Sequence, residues 1–182
     1  MKLKLNNVRL AFPQLFEAKT VNGEGKPAFS ANFLIAADDP QIAVINAAIE
    51  EVARAKWGAK TDVVLKQIRA QDKTALHNGD LKTSYDGFEG NYYISARSTT
   101  RPLVIDRDKT PLAEADGKPY AGCYVNASVE LWAQDNNYGK RINASLRGVQ
   151  FLRDDDAFAG GGAASEDEFD DMTEGTLAED LV

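Results

Sequence analysis

The stretch CYVNASVELWAQDNNYGKRINASLRGVQFL, residues 123–152, shows most clearly how this chain folds. In its first half every second residue, from Cys123 to Ala133, is apolar, and the residues between them are Tyr, Asn, Ser, Glu, Trp and Gln. Side chains of a β-strand point alternately to opposite faces, so this alternation predicts a strand with one buried and one polar face. The turn sequence DNNYGK at 135–140 and a second alternating run complete a predicted β-hairpin.

The rest of the chain supplies further strands and two helices. Strands are predicted at the N-terminus, ending at Pro13 because proline cannot donate to a strand ladder, and over 28–36, 91–97 and 102–106. Apolar residues recur at helical spacing from about residue 40 to Trp57, where Gly58 ends the helix, and again over 61–69. Residues 70–90 have the composition of a long loop. This order predicts a mainly β fold, a five-stranded Greek-key barrel with an inserted helix.

Composition excludes several classes of protein. The chain has 182 residues, one cysteine and one histidine, so neither an internal disulfide nor a structural zinc site can stabilise it. It has no apolar run long enough to cross a membrane and no signal peptide at the N-terminus, so we expect a cytoplasmic protein that does not act at a membrane. We expect no cofactor, no metal and no catalytic residues, because no phosphate-binding loop or catalytic motif is present.

The net charge of −7 is divided unevenly along the chain. Eleven acidic residues and no Lys or Arg follow Arg153. Residues 1–153 therefore contain the remaining 17 acidic residues and all 21 basic residues, a net charge of +4. We predict that 1–153 is the folded domain and that 154–182 is a disordered acidic tail, since the tail has too few apolar groups to offset its ordering entropy. Its scattered apolar residues are typical of segments that bind a partner, although a purely solubilising tail has the same composition.

The polar faces of the predicted strands carry aromatic and basic side chains. Aromatic rings on an exposed sheet face can stack on nucleobases, and basic groups beside them can neutralise phosphates, so this pattern favours nucleic-acid binding. The stacking candidates are Tyr93, Tyr124, Trp132 and Tyr138. The phosphate candidates are Arg97, Arg101, Lys140, Arg141 and Arg147.

Other interpretations of the same residues stay open at this stage. The inserted helix could cover the polar face of 123–134, in which case Trp132 and Tyr124 would be core residues. Asp106 and Asp108 could hold Mg²⁺ in a nuclease, although an Asp-x-Asp at a strand end is more often a solvated turn. A third alternative is a structural or partner-docking protein in which the tail is the functional element.

Three segments resemble one known family. They are NNVRLAFPQLFEA at 6–18, YYISARSTTRPLVIDRD at 92–108, and the stretch from YAGCYVN to DDDAF at 120–158. Together they are similar to a family of phage single-stranded DNA-binding proteins, and the similarity extends over essentially the whole chain. The resemblance implies an OB-fold that coats single strands during phage DNA replication, recombination and repair in the host cytoplasm. It also implies an acidic tail that competes with DNA and contacts replication proteins such as a polymerase or helicase; a homodimer stays open.

Overall fold

The computed structural model describes residues 1–21, 23–158, 169–170 and 172–173. The helices and strands, numbered in chain order, are β1 (Lys2–Val21), β2 (Glu24–Ala36), α1 (Gln41–Trp57), α2 (Thr61–Ala70), β3 (Leu76–Asn78), β4 (Asn91–Ser98), β5 (Leu103–Ile105), β6 (Tyr124–Asn136) and β7 (Gly139–Arg153). Among the described residues, neither helix has the length and apolar character needed to span a membrane.

Five of the strands close into a barrel. Antiparallel pairs join β1 to β2, β2 to β4, β1 to β6 and β6 to β7. The ring is completed by one parallel contact between β4 and β7, in which Arg97 pairs with Ser145. The short strands β3 and β5 extend the sheet beside β4 and β7. The predicted five-stranded barrel with a helical insertion is therefore confirmed.

The barrel interior is filled by the apolar side of each strand. On β6 the buried and part-exposed residues alternate strictly from Tyr124 to Leu131, as the sequence pattern predicts. Helix α1 closes one end of the barrel, and Ile45, Ile49 and Trp57 on one of its faces are buried in the same core. Thr61 begins α2 and is fully buried, with its hydroxyl donating to Gly58 O at 2.6 Å. The helical insertion thus adds core rather than covering the outer face of the sheet.

Two local expectations are wrong. Strand β1 does not end at Pro13 but continues to Val21. The register between β1 and β2 shifts between Ala11 and Gln14, so Pro13 lies in an irregularity where its missing N–H removes no regular ladder bond. The predicted loop 70–90 contains the short strand β3, which pairs with β4.

The first five residues of the predicted tail, 154–158, contact the barrel. The Arg9 guanidinium donates to Asp156 O at 2.9 Å and lies 4.5 Å from the centre of the Phe158 ring. Phe158 N–H donates to Ala121 O at 3.0 Å. Tyr120 donates its hydroxyl proton to Asp154 at 2.8 Å; burial and this bond raise the pKa of Tyr120 to about 12. We call residues 154–158 the strap. Most of the predicted tail beyond it lies outside the described residues.

The strap gives a test of where the folded domain ends. A chain truncated after Phe158 keeps every contact of the strap, whereas one truncated after Arg153 loses the Phe158 ring and the contacts of Arg9 with the strap. We expect the shorter chain to be less stable by about 1–3 kcal/mol, because it exposes apolar surface and loses hydrogen bonds. Urea unfolding of the two truncations measures the difference, and equal free energies of unfolding would contradict the described packing of the strap.

Candidate nucleic-acid interface

A groove of about 1110 Å³ crosses the outer surface of the barrel. It runs from the turn between β1 and β2, past β4, to the turn between β6 and β7. Its lining includes Gly25, Lys26, Thr74, His77, Ser95, Arg97, Thr99, Trp132, Gln134, Asn136, Tyr138, Arg141, Asn143 and Ser145. No Asp or Glu belongs to the lining, as far as the described residues go.

Trp132 forms part of the groove wall. Its side chain is 43% exposed, so α1 does not cover it and the interpretation of Trp132 as a core residue is wrong. The indole Nε1–H donates to Ser145 Oγ at 3.0 Å, across the β6–β7 pair. This bond fixes one edge of the ring while much of the ring surface stays open to solvent.

Three cations line the groove. Lys26 comes from the end near the β1–β2 turn, Arg97 from β4 and Arg141 from β7. None of them has a carboxylate within 4 Å in the part of the chain that the structure describes. Because their charges are not paired, they give the groove a positive potential suited to phosphates.

Tyr138 and three amide side chains complete the end of the groove at the β6–β7 turn. Tyr138 is 87% exposed, and its backbone N–H donates to Asn136 Oδ1 at 2.9 Å. Asn143 donates to Gln134 Oε1 at 2.9 Å, across the hairpin. An exposed aromatic ring beside hydrogen-bonding amides is suited to stacking on a base.

Tyr93 is not available for stacking. It points outward from β4, as its position in the alternation predicts, yet it is only 4% exposed. Phe88, from the loop before β4, packs edge-on against it at 5.0 Å between ring centres, and His77 stacks on it at 4.9 Å. The periodicity identifies the outer face correctly but not the loop that covers it.

Tyr124 lies outside the groove, near the opposite end of β6 from Trp132. The Arg153 guanidinium lies 3.7 Å from the centre of its ring, and that of Arg9 lies 5.7 Å from it. Arg9 also donates through Nε to Gly122 O at 2.8 Å, so it is fixed in place. Tyr124 therefore packs with the cations that hold the strap.

Three basic candidates are also outside the groove lining. Arg147 is paired with Glu130 at 3.1 Å, and Lys140 lies 3.9 Å from Asp135. Arg101 lies beyond the end of β4 with its guanidinium 5.8 Å from the ring of Phe29. Of the nine predicted residues, the structure brings together Arg97, Trp132, Tyr138 and Arg141.

The sequence pattern missed Lys26 and His77. Lys26 lies in β2 but before residue 28, where the strand predicted from the sequence begins, and His77 lies in the short strand β3, so neither belongs to a predicted alternating run. His77 Nδ1 lies 2.7 Å from Asp72 Oδ1, so the ring is held in place at the groove. Lysine beside a hairpin turn was the one signal in the sequence that could have indicated Lys26.

Asp106 and Asp108, in the turn after β5, both have protein partners. Lys118 Nζ lies 3.0 Å from Asp106 Oδ2, and this bond is the main reason that the pKa of Asp106 lies below its usual value. The hydrogen bonds of Asp108 with Thr110 likewise lower the pKa of Asp108. Both carboxylates thus stabilise the turn, as the solvated-turn interpretation predicts.

The fold and the groove together define an OB-fold protein of the type that binds single-stranded nucleic acid. In such folds the second and third barrel strands and the turns joining strands one to two and four to five form the binding face. Here these are β2, β4 and the turns beside Lys26 and Tyr138, all at the groove. The chain belongs to the family described as Enterobacter phage Enc34, ssDNA-binding protein, whose family model matches residues 1–182.

Individual relatives agree with this family. Protein p50 of Acyrthosiphon pisum secondary endosymbiont phage 1 is 53% identical over 176 residues, which are 95% of each chain. The single-stranded DNA-binding protein of bacteriophage Enc34, solved in complex with ssDNA, superposes with a TM-score of 0.74 at 30% identity, covering 86% of this chain and 88% of that one. The single-stranded DNA-binding protein gp2.5 of bacteriophage T7 shares the fold, with a TM-score of 0.57 at 12% identity over 92% of each chain.

The two tryptophans provide a test of the exposed position of Trp132. We expect Trp132→Ala to lower the free energy of unfolding by about 1 kcal/mol or less, because the ring is already half in solvent. Trp57→Ala, at a residue 9% exposed, is expected to cost about 3–5 kcal/mol. Urea unfolding compares the two variants, and an equal loss in both would show that Trp132 is part of the core.

Proposed function

We propose that this protein binds single-stranded DNA in the groove with little sequence preference. The observation that carries the proposal is the combination of three cations with no carboxylate within 4 Å, two exposed aromatic rings and no carboxylate in the lining, as far as the described residues go. Arg97, Arg141 and Lys26 contact phosphates, while Trp132 and Tyr138 stack on bases. Stacking tolerates any sequence, because every base has a π-face, and it contributes about 1–3 kcal/mol per base.

In the cell this binding coats and protects single strands during phage DNA replication, recombination and repair, in the host cytoplasm. The membership of the chain in a family of phage single-stranded DNA-binding proteins supports this role. The protein acts by binding and not by catalysis. The contacts of Asp106 and Asp108 favour this over the nuclease alternative, because Asp106 is paired with Lys118 and Asp108 accepts from Thr110 N–H in its own turn.

A titration with oligo-dT, with and without Mg²⁺, tests the proposal. We expect fluorescence anisotropy to report binding in both conditions, and the recovered oligonucleotide to be intact on a gel. Strand cleavage in Mg²⁺ would support the nuclease instead. Absence of binding in both conditions would support the partner-docking alternative.

The acidic tail regulates this binding in our proposal. Eight acids and no Lys or Arg lie after Phe158, so the tail is a polyanion covalently attached to a cationic groove. An attached anion has a high effective concentration and competes with DNA for the same cations. The tail also recruits replication proteins such as a polymerase or helicase, through the apolar residues between its acids.

The groove cations predict the salt dependence of binding. Three phosphate contacts on a single strand give a slope of log K against log salt of about −2, so a fourfold rise in salt weakens binding about 20-fold. Arg97→Gln and Arg141→Gln should each make the slope shallower by about 0.7. Arg147→Gln, on the same strand as Arg141 but paired with Glu130, is the matched control and should leave the slope unchanged. An equal effect of all three substitutions would contradict the assignment of phosphate contacts to the groove.

Truncation after Phe158 tests the proposed role of the tail. This chain keeps the strap and loses eight acids, so we expect tighter binding to oligo-dT at low salt and a steeper salt dependence. The full chain with Phe169 and Met172 both changed to Ala keeps the charge and should bind DNA as the wild type does. The competition proposal fails if the truncated and full chains bind equally.

A further inference from the structure

A second hollow, of about 400 Å³, lies between α1 and the end of β6. Most of its lining is apolar or aliphatic. Glu51 and Lys56 have the only charged side chains in it within the described part of the chain, and the N-terminal ammonium of Met1 donates to Leu131 O at 2.8 Å. The lining residues are Met1, Glu51, Val52, Ala55, Lys56, Leu131, Trp132 and Ala133. An apolar hollow open to solvent on a nucleic-acid-binding protein has the chemistry to accept a flat, hydrophobic nucleobase.

Trp132 separates this hollow from the groove. Among the described residues it alone lines both. When a base of single-stranded DNA stacks on Trp132 in the groove, the hollow therefore lies directly beyond the same side chain. The groove and the hollow are adjacent along the surface of β6, so one continuous single strand of DNA can occupy both.

Ser145 keeps the hollow open. The indole Nε1–H of Trp132 donates to Ser145 Oγ at 3.0 Å, and β7, which carries Ser145, lies on the groove side of the ring. For the indole to turn and fill the space beside α1, it would have to give up this bond and leave Nε1–H without its protein partner. The ring is thus held as a wall between the two spaces.

Lys56 provides a positive charge that can contact the phosphate backbone of the same DNA strand. Its side chain is exposed in the last turn of α1, and no carboxylate lies within 4 Å of its Nζ among the residues that the structure describes. A phosphate that links two bases on either side of Trp132 would find this cation at the rim of the hollow. The apolar walls formed by Val52 and Ala55 suit the base itself.

We propose that the hollow between α1 and β6 is a second nucleobase subsite. A base of the bound single strand packs against Val52, Ala55 and the α1 side of Trp132, and Lys56 contacts the adjacent phosphate. This inference rests on the proposed function, since it extends the DNA path from the groove past Trp132. It also assigns α1 a part in binding in addition to its part in the core.

Intermolecular nuclear Overhauser effects measure this contact directly. In a complex of the full chain, isotope-labelled in its methyl and aromatic groups, with unlabelled oligo-dT, we expect contacts from thymine protons to the methyls of Val52 and Ala55 and to the rings of Trp132 and Tyr138. Val44 and Ala47, exposed on the same helix but outside the hollow, are the internal controls and should show none.

The outcomes separate this inference from the proposed function. Contacts to Tyr138 and Trp132 without contacts to Val52 or Ala55 would overturn the second subsite and leave the groove intact. Absence of contacts to Tyr138 and Trp132 as well would overturn the groove as the binding site.

A pair of substitutions on α1 tests the energetic contribution of the subsite. Ala55→Leu fills the hollow, and Ala47→Leu makes the same change at an exposed position elsewhere on the helix. We expect Ala55→Leu to weaken binding of long oligo-dT by about fivefold or more, which corresponds to the loss of one stacked base. Equal affinity of the two variants would overturn the proposal, provided that circular dichroism shows both to be folded.

Discussion

The parallel contact between β4 and β7 is the constraint on which the binding surface depends. It joins two strands that are distant in sequence, and its single pair of residues is Arg97 and Ser145. Both of these residues line the groove, and Ser145 also accepts the hydrogen bond that orients Trp132. Closing the barrel therefore places a cation, a hydroxyl and an indole ring side by side. Without this contact Arg97 would lie on a separate sheet edge from the β6–β7 hairpin.

The outer surface of the barrel is divided into two regions of different electrostatic character. In the groove, Lys26, Arg97 and Arg141 have no acidic partner among the described residues. Near the other end of β6, Arg9 and Arg153 are used internally, since both lie close to Asp155 and to the ring of Tyr124. The strap thus holds the first acids of the acidic segment away from the groove.

The sequence predicted well which side chains point outward from the strands. It predicted poorly which of these side chains are covered by other parts of the chain. Alternation along β6 and β7 identifies Trp132 and Arg141 as outward-facing, because side-chain direction in a strand is a local property. Alternation does not show which parts of the chain pack over an outward-facing side chain, or which surface region that side chain belongs to. Tyr93 is covered by Phe88, and Tyr124 lies in the strap region; both contacts depend on tertiary structure. Lys26 and His77 were missed because neither lies in a strand that the sequence predicted, although the fold brings both to the groove.

The fluorescence of Trp132 in the presence of DNA measures directly whether single-stranded DNA binds in the groove. In a Trp57→Phe variant Trp132 is the only tryptophan, because the chain contains two. We expect saturating oligo-dT to quench its emission strongly, since a base stacks on the exposed ring. Binding of oligo-dT, seen by anisotropy, with no change in Trp132 emission would overturn the groove as the binding site, because the DNA would then lie elsewhere on the barrel.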